Sequence, residues 1–270
     1  MNPPTHRFDR DTSIHALGSG RYSVSIDRGW WVVRGPNGGY IAAILQRAVM
    51  AASGDQDRAP RSLTIHYTSP PTEGQAEIAT QVERKGRSLT TVTARMTQGG
   101  KLRALAVAAL SKPREGHEFA HMAMPTVPGP DELLPAQPDI PANQRYEFRF
   151  VPFREPHSAF TEAVTAAWIR LAEPRELDAP LLAAYADALP PPIFALAESR
   201  DEIGPVPTVD LTVHYRTEPA RAIVGAGDFC LGIFRTRLAH AGYVEEDGEI
   251  WSPDGSLLVQ SRQLAVTLGS

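Results

Sequence analysis

The first part of the chain alternates apolar and polar positions with the two-residue period of β-strands. Glycine-containing pairs at Lys85-Gly86 and Gly99-Gly100 interrupt the alternation at two points. The alternating runs cover Thr64 to Tyr67, Glu77 to Arg84, Arg87 to Thr97 and Leu102 to Leu110. Period-two runs separated by such turns are typical of antiparallel strands, so the pattern predicts a meander.

A segment just before these runs has a different period. It opens with Asn37-Gly38-Gly39, and its apolar positions are Tyr40, Ile41, Ile44, Leu45, Ala48 and Val49. A spacing of three and four residues places all of them on one broad face of an α-helix. We therefore predict a helix that lies on the sheet.

Proline breaks the pattern in the middle of the chain. Seven prolines fall between Pro113 and Pro141, a density that prevents a long helix or a central strand. A length of 270 residues suits two domains or one duplicated domain. We predict an N-terminal half at 1–112, a proline-rich linker at 113–144 and a C-terminal half at 145–270.

The two halves repeat one another. The run from Leu63 to Pro71 and the run from Leu211 to Pro219 share Leu, Thr, His, Tyr and the last Pro at a constant spacing. A weaker echo relates Met96 to Leu102 with Trp251 to Leu257, in the same order along the chain. Duplication then requires a second helix, which the segment Asp178 to Leu189 supplies, with Asp178 as its N-cap.

The composition restricts the kinds of partner and compartment that we expect for this protein. The formal net charge of −4 does not favour a nucleic acid or an anionic membrane surface. The N-terminus has no apolar core typical of a leader, and no later run has the roughly 18 apolar residues that span a bilayer. A single cysteine, Cys230, excludes an internal disulfide and a multi-cysteine zinc site. We expect a cytoplasmic protein, with Cys230 as a small buried strand residue.

Three polar features occur in only one half. Asp210 corresponds to Ser62, Gln263 corresponds to Ala108, and Gly38-Gly39 has no glycine counterpart near Asp178. Acyl transfer to water needs a base, a group that fixes the water, and donors for the oxyanion. Asp210 suits the first role, Gln263 the second, and the Gly38-Gly39 helix start the third.

Four stretches carry a family resemblance. They are Gly35 to Ala42, Ser62 to Pro70, Val209 to Arg216, and Asp254 to Gln263. Together they resemble the acyl-CoA thioesterase II (TesB-like) family, which implies an α+β double hotdog fold. The resemblance also implies hydrolysis of fatty acyl-CoA to free acid and CoA without a metal or organic cofactor, and, by analogy, a homodimer.

The resemblance assigns roles to single residues as well. In the family an aspartate, a hydroxyl residue and a glutamine hold the attacking water, which implies Asp210 and Gln263 here. A gapless count places Arg237 opposite the family's threonine, with Thr236 one position away. Thr236 is our choice for the hydroxyl, and Arg235 or Arg237 could meet a phosphate of CoA.

Two alternatives remain open. Asp210 and His214 share one face of a strand, as the aspartate and histidine of a hotdog enoyl-CoA hydratase could. Against this, the repeat histidine His66 has no partner aspartate, so His66 and His214 suit a shared structural role. A non-catalytic acyl-binding module is the other alternative, and it leaves the one-sided Asp210 and Gln263 unexplained.

The run His117-Glu118-Phe119-Ala120-His121 matches the H-E-x-x-H pattern of zinc proteases. That pattern works only on a buried helix, where the histidines lie one turn apart. This copy lies within the proline-rich linker and lacks a flanking apolar run. We interpret it as a chance match on a solvated segment.

Overall fold

The computed structural model describes residues 6–152, 163–197, 200–217 and 224–268. The first half forms one antiparallel sheet around a central helix. Its elements are α1 (Arg7–Asp11), β1 (His15–Gly18), β2 (Arg21–Ile26), α2 (Gly38–Ser53), β3 (Ala59–Tyr67), β4 (Gly74–Lys85), β5 (Leu89–Gln98) and β6 (Lys101–Ser111). The predicted meander is confirmed, with β4, β5 and β6 paired in chain order.

The second half repeats this plan with a shorter helix. Its elements are β7 (Tyr146–Phe150), β8 (Ala163–Leu171), α3 (Ala179–Tyr185), α4 (Arg200–Ile203), β9 (Thr208–Tyr215), β10 (Cys230–Thr236), β11 (Ala239–His240), β12 (Tyr243–Trp251) and β13 (Leu257–Val266). Cys230 opens β10 and is buried, as predicted.

The halves join edge to edge into one sheet. Within the described residues the strand order is β1-β2-β4-β5-β6-β3-β9-β13-β12-β10-β8-β7, with β11 paired to β12. The central pair is β3 with β9, where the repeat residues Thr64 and Thr212 face each other with hydroxyl oxygens 3.1 Å apart. A pseudo-twofold axis therefore passes between these two threonines, and the predicted double hotdog is confirmed.

The two predicted helices lie side by side on the inner face of the sheet. Asn37 caps α2 by accepting a hydrogen bond from the backbone N of Tyr40 at 3.1 Å. Asp178 caps α3 in the same way, accepting from the backbone N of Leu181 at 2.9 Å. Among the described residues, no helix has the length and apolar character needed to cross a membrane.

The proline-rich segment has little regular structure of its own. Between β6 and a 3-10 turn at Pro130–Glu132 its described residues form no helix or strand, and the H-E-x-x-H run is exposed. Its later part covers the outer face of the second half, where Trp168 Nε1 donates to the carbonyl of Pro128 at 2.8 Å. The two histidines of that run are thus not one helical turn apart.

Candidate active site

A partly buried carboxylate lies where the C-terminus of α3 meets the N-terminus of α2. Asp187 Oδ2 accepts hydrogen bonds from the backbone N of Gly39 at 2.9 Å and from Nδ2 of Asn37 at 3.1 Å. The same Asn37 amide donates to the backbone carbonyl of Asp187 at 2.8 Å. These contacts link the first half to the second through one side chain, and the positive end of α2 favours the charged form of Asp187.

Glycine is required where α2 begins. A Cβ on Gly38 would lie 2.8 Å from Asp187 Oδ2, and one on Gly39 would lie 2.4 Å from the backbone oxygen of Ala184. Both distances are too short for real contacts, so only glycine lets α2 approach the end of α3 this closely. The chain therefore has two glycines at the point where the two helices touch.

Gln263 connects Asp187 to two further polar groups. Its Oε1 accepts a hydrogen bond from Oγ1 of Thr208 at 2.9 Å, and its Nε2 donates to Oε1 of Glu246 at 2.5 Å. The Gln263 side chain also lies close enough to Asp187 to lower the pKa of that carboxyl. A carboxyl, an amide and a hydroxyl therefore lie together on the inner face of the sheet.

A β-bulge brings Thr208 into this network. Asp210 pairs with Leu264, but Thr208 pairs with Ala265, so β9 contains one extra residue, Val209, between them. Without that residue Thr208 would point to the outer face of the sheet. The bulge reverses its direction and places its hydroxyl against Gln263.

The two carboxyls of the cluster have raised pKa values. Burial raises the pKa of Asp187 to about 6, despite its hydrogen bonds from Gly39 and Gln263, which act in the opposite direction. Burial also raises the pKa of Glu246 well above its ordinary value, and the charge of Asp187 adds to that rise. The raised pKa of Glu246 favours its neutral form, whereas Asp187, with a pKa of about 6, is a carboxylate at neutral pH.

Family models match most of the chain. The acyl-CoA thioesterase N-terminal domain matches residues 27–111, and the acyl-CoA thioesterase C-terminal domain matches residues 120–267. The chain belongs to the acyl-CoA thioesterase family. It is a thioester hydrolase, as the sequence resemblance implied. No protein of curated function matches this thioesterase in sequence.

Solved structures share the fold of this thioesterase over its whole length. A hotdog-fold protein of unknown function from Alicyclobacillus acidocaldarius is 28% identical, with a TM-score of 0.88, and covers 99% of this chain and 100% of its own. A protein assigned as a thioesterase II from Thermobifida fusca is 28% identical, with a TM-score of 0.83 and coverage of 97% and 98%. The acyl-CoA thioesterase II TesB2 from Mycobacterium marinum is 18% identical, with a TM-score of 0.80 and coverage of 97% and 98%.

The structure separates Asp210 from Gln263. Gln263 pairs with the fully buried Leu211 and faces the helices, whereas the neighbouring Asp210 pairs with Leu264 and His66. Since side chains alternate along a strand, Asp210 lies on the outer face of the thioesterase sheet. The predicted grouping is corrected accordingly: the carboxylate beside Gln263 is Asp187.

The other predicted site residues fall into three places. The Gly38-Gly39 helix start lies in the cluster, where the backbone N–H of Gly39 donates to Asp187. Thr236 ends β10, and its hydroxyl is buried without a hydrogen-bond partner among the described residues. Arg237 lies outside the cluster, 65% exposed and 3.0 Å from Asp247, and Arg235 is buried beside Glu249.

The pseudo-twofold axis relates the cluster to a position that has no ionisable groups. The helix starts Gly38 and Ala179 correspond, because Tyr67 and Tyr215 donate to their carbonyls at 2.9 and 3.3 Å. The same spacing matches Asp187 with Gln46. Strand register then matches Thr208, Glu246 and Gln263 with Pro60, Val92 and Ala108. A helix-by-helix comparison of the halves is therefore the signal that could have found Asp187.

A cleft of about 200 Å³ lies elsewhere, between α1 and the start of the second half. Its lining includes Phe8, Trp30 and Arg145 but none of the cluster residues. Trp30 packs edge-on against Tyr146 at 5.8 Å, and Tyr146 is close enough to Asp187 for that charge to raise its pKa. Aromatic rings therefore stand between this cleft and the thioesterase cluster.

Proposed function

We propose that this enzyme hydrolyses fatty acyl-CoA with Asp187 as the general base. The observation that carries the proposal is the partly buried Asp187 carboxyl, which accepts from the N-terminus of α2 and lies beside Gln263, itself bonded to Thr208. Carboxyls with displaced pKa values are concentrated at catalytic sites. Asp210 lies on the outer face of the sheet, away from the glutamine.

The chemistry follows from the protonation states. A base with a pKa of about 6 is deprotonated at neutral pH and still accepts a proton readily. Asp187 takes a proton from water as the water oxygen bonds to the thioester carbonyl carbon. The tetrahedral intermediate then expels the sulfur of CoA, which leaves as the thiol after it receives the proton from Asp187. The products are a free acid and CoA, and no redox step or co-reactant is needed.

Gln263 and Thr208 position the attacking water. Thr208 donates to the amide oxygen of Gln263, which directs the amide N–H groups toward the carboxyls. An amide fixed in this way can hold the attacking water in line with Asp187. The proposal replaces Thr236 by Thr208 as the hydroxyl member and keeps Gln263 in the role that the sequence predicted.

A pair of isosteric substitutions tests the base. We expect Asp187→Asn to lower kcat for an acyl-CoA substrate by about 10² to 10⁴-fold, because the amide cannot accept a proton from water. Asp210→Asn is the matched control and should keep kcat within about twofold, since surface polar changes away from a site have small effects. The measurement is release of free CoA thiol, with circular dichroism to confirm that both variants fold.

The same assay separates the competing functions. Hydration of crotonyl-CoA that survives Asp187→Asn and is lost in Asp210→Asn would support the hydratase alternative, with His214 on the outer face as its partner. Binding of acyl-CoA without turnover would support the binding module. Near-normal thiol release by Asp187→Asn would overturn the proposal.

A further inference from the structure

Glu246 is a buried acid on the inner face of β12. It pairs with Gln263 on β13 and is 5% exposed. Its neighbours Glu245 and Asp247 alternate to the other face of the strand, where they form ion pairs with Arg262 and Arg237. Acidic residues are rarely buried without a partner cation, so this position needs an explanation in terms of the site.

The contact between Glu246 and Gln263 determines which way the amide points. A side-chain amide has an accepting oxygen and a donating nitrogen, and only its hydrogen bonds distinguish the two ends. Thr208 donates to the oxygen, and Glu246 Oε1 accepts from the nitrogen at 2.5 Å. The second N–H of the same nitrogen remains for the water beside Asp187, a carboxyl whose pKa Gln263 lowers.

The charges that most influence the pKa of Glu246 are negative. Asp187 faces it from the end of α3, and Glu245 and Asp247 flank it on β12; each of the three disfavours its ionisation. Gln263 and Thr208, which face it from β13 and β9, are uncharged. A second carboxylate in this place would repel the first, whereas a neutral acid still accepts the hydrogen bond from Gln263.

We propose that Glu246 is a positioning residue that holds the Gln263 amide in the orientation that serves Asp187. The inference rests on the proposed role of Asp187 in hydrolysis. It adds a member to the site that the sequence comparison did not identify, although the repeat position of Glu246 is the apolar Val92. Ionisation of Glu246 should then disturb catalysis at alkaline pH.

Two substitutions distinguish positioning from packing. Glu246→Leu keeps a side chain of similar volume but removes the carboxyl that accepts from Gln263. We expect kcat to fall by about tenfold or more with KM little changed. Glu246→Gln offers an uncharged acceptor of the same shape, and it should restore most of the lost kcat. Asp247→Asn, one residue away on the opposite face, is the matched control and should keep the wild-type kcat at neutral pH.

The pH profile is the decisive measurement, taken from the rate of CoA thiol release after subtraction of spontaneous hydrolysis. The wild type should lose kcat at alkaline pH as Glu246 ionises, and Glu246→Gln should lack this decline. An unchanged alkaline decline in Glu246→Gln, or wild-type kcat in a folded Glu246→Leu, would overturn the inference. If Glu246→Leu does not fold, the pH profile of Glu246→Gln still tests the positioning role.

Failure of this inference is separable from failure of the proposed function. An inactive Asp187→Asn together with wild-type behaviour of both Glu246 variants removes only the positioning role. An active Asp187→Asn removes the proposed base, and the role of Glu246 falls with it.

Discussion

At the scale of the residue, two opposing effects act on the pKa of Asp187. Burial makes its charged form unfavourable, while the α2 N-terminus and the side-chain amides of Asn37 and Gln263 make it more favourable. Desolvation dominates, so the carboxyl titrates nearer neutrality than an exposed aspartate does. The consequence extends to stability as well as to activity.

We expect opposite pH trends for activity and stability. Activity requires the carboxylate, so kcat should fall as pH drops below about 6, the pKa of Asp187. The folded state prefers the neutral form, because its pKa lies above the value of 3.8 for the unfolded chain. The contribution of Asp187 to the unfolding free energy is thus fully present below pH 4 and decreases by about 3 kcal/mol as pH rises through 6.

Chemical denaturation of the wild type and Asp187→Asn between pH 4 and pH 8 measures this effect. As pH rises, the unfolding free energy of Asp187→Asn should increase relative to that of the wild type. A difference that is constant over this range would contradict the raised pKa.

At the scale of the element, the contact between α2 and α3 depends on Gly39. We expect Gly39→Ala to lower the unfolding free energy by about 1–3 kcal/mol, because its Cβ would collide with the backbone oxygen of Ala184. The shift should also weaken the Asp187 hydrogen bond and reduce kcat. Thermal unfolding checks the first effect, and thiol release checks the second.

Gly116→Ala is the matched control for that substitution. Its Cβ would meet nothing within 4 Å, and the residue is exposed in the proline-rich segment. Its melting temperature and kcat should equal those of the wild type. Equal melting temperatures for Gly39→Ala and Gly116→Ala would argue against a tight helix contact.

The elements explain what the sequence could and could not predict. Strand alternation, the helix around Tyr40 and the repeat of Leu63 with Leu211 depend on local periodicity, and the structure confirms all three. Gln263 could be predicted because its repeat position is Ala108. Thr208 could not be predicted, since a bulge at Val209 reverses the direction of its side chain and the two-residue sequence pattern does not reveal a bulge.

Asp187 was missed for a different physical reason. Helix and strand repeats do not share one spacing, because the connection from α2 to β3 is shorter than the one from α3 to β9. A comparison in the strand register therefore never sets Asp187 against Gln46. Only the paired tyrosine contacts, Tyr67 to Gly38 and Tyr215 to Ala179, align the helices.

At the scale of the whole molecule, the two halves form a single unit. The β3–β9 pair continues the hydrogen-bonded sheet across the boundary, and α2 packs on α3. The site takes Asn37 and Gly39 from the first half and Asp187 and Gln263 from the second. The proline-rich segment between them contributes no residue to this cluster.

Cleavage of the exposed segment should therefore leave the enzyme intact. We expect a protein with a protease site inserted at Gly116 to keep kcat within about twofold after cutting, because exposed loops tolerate nicking. Gel filtration should show the two fragments eluting together, with the uncut protein as the reference. Separation of the fragments with retained activity in either one would contradict a shared site.

The pseudo-twofold relation between Thr64 and Thr212 has an evolutionary consequence. In a symmetric homodimer every substitution enters both copies of a site, so a buried acid pair would burden the fold twice. Joining two copies in one chain lets Asp187 and Glu246 diverge from Gln46 and Val92. The chain keeps one acidic cluster and leaves the matching position without an ionisable group, an asymmetry open only to linked copies.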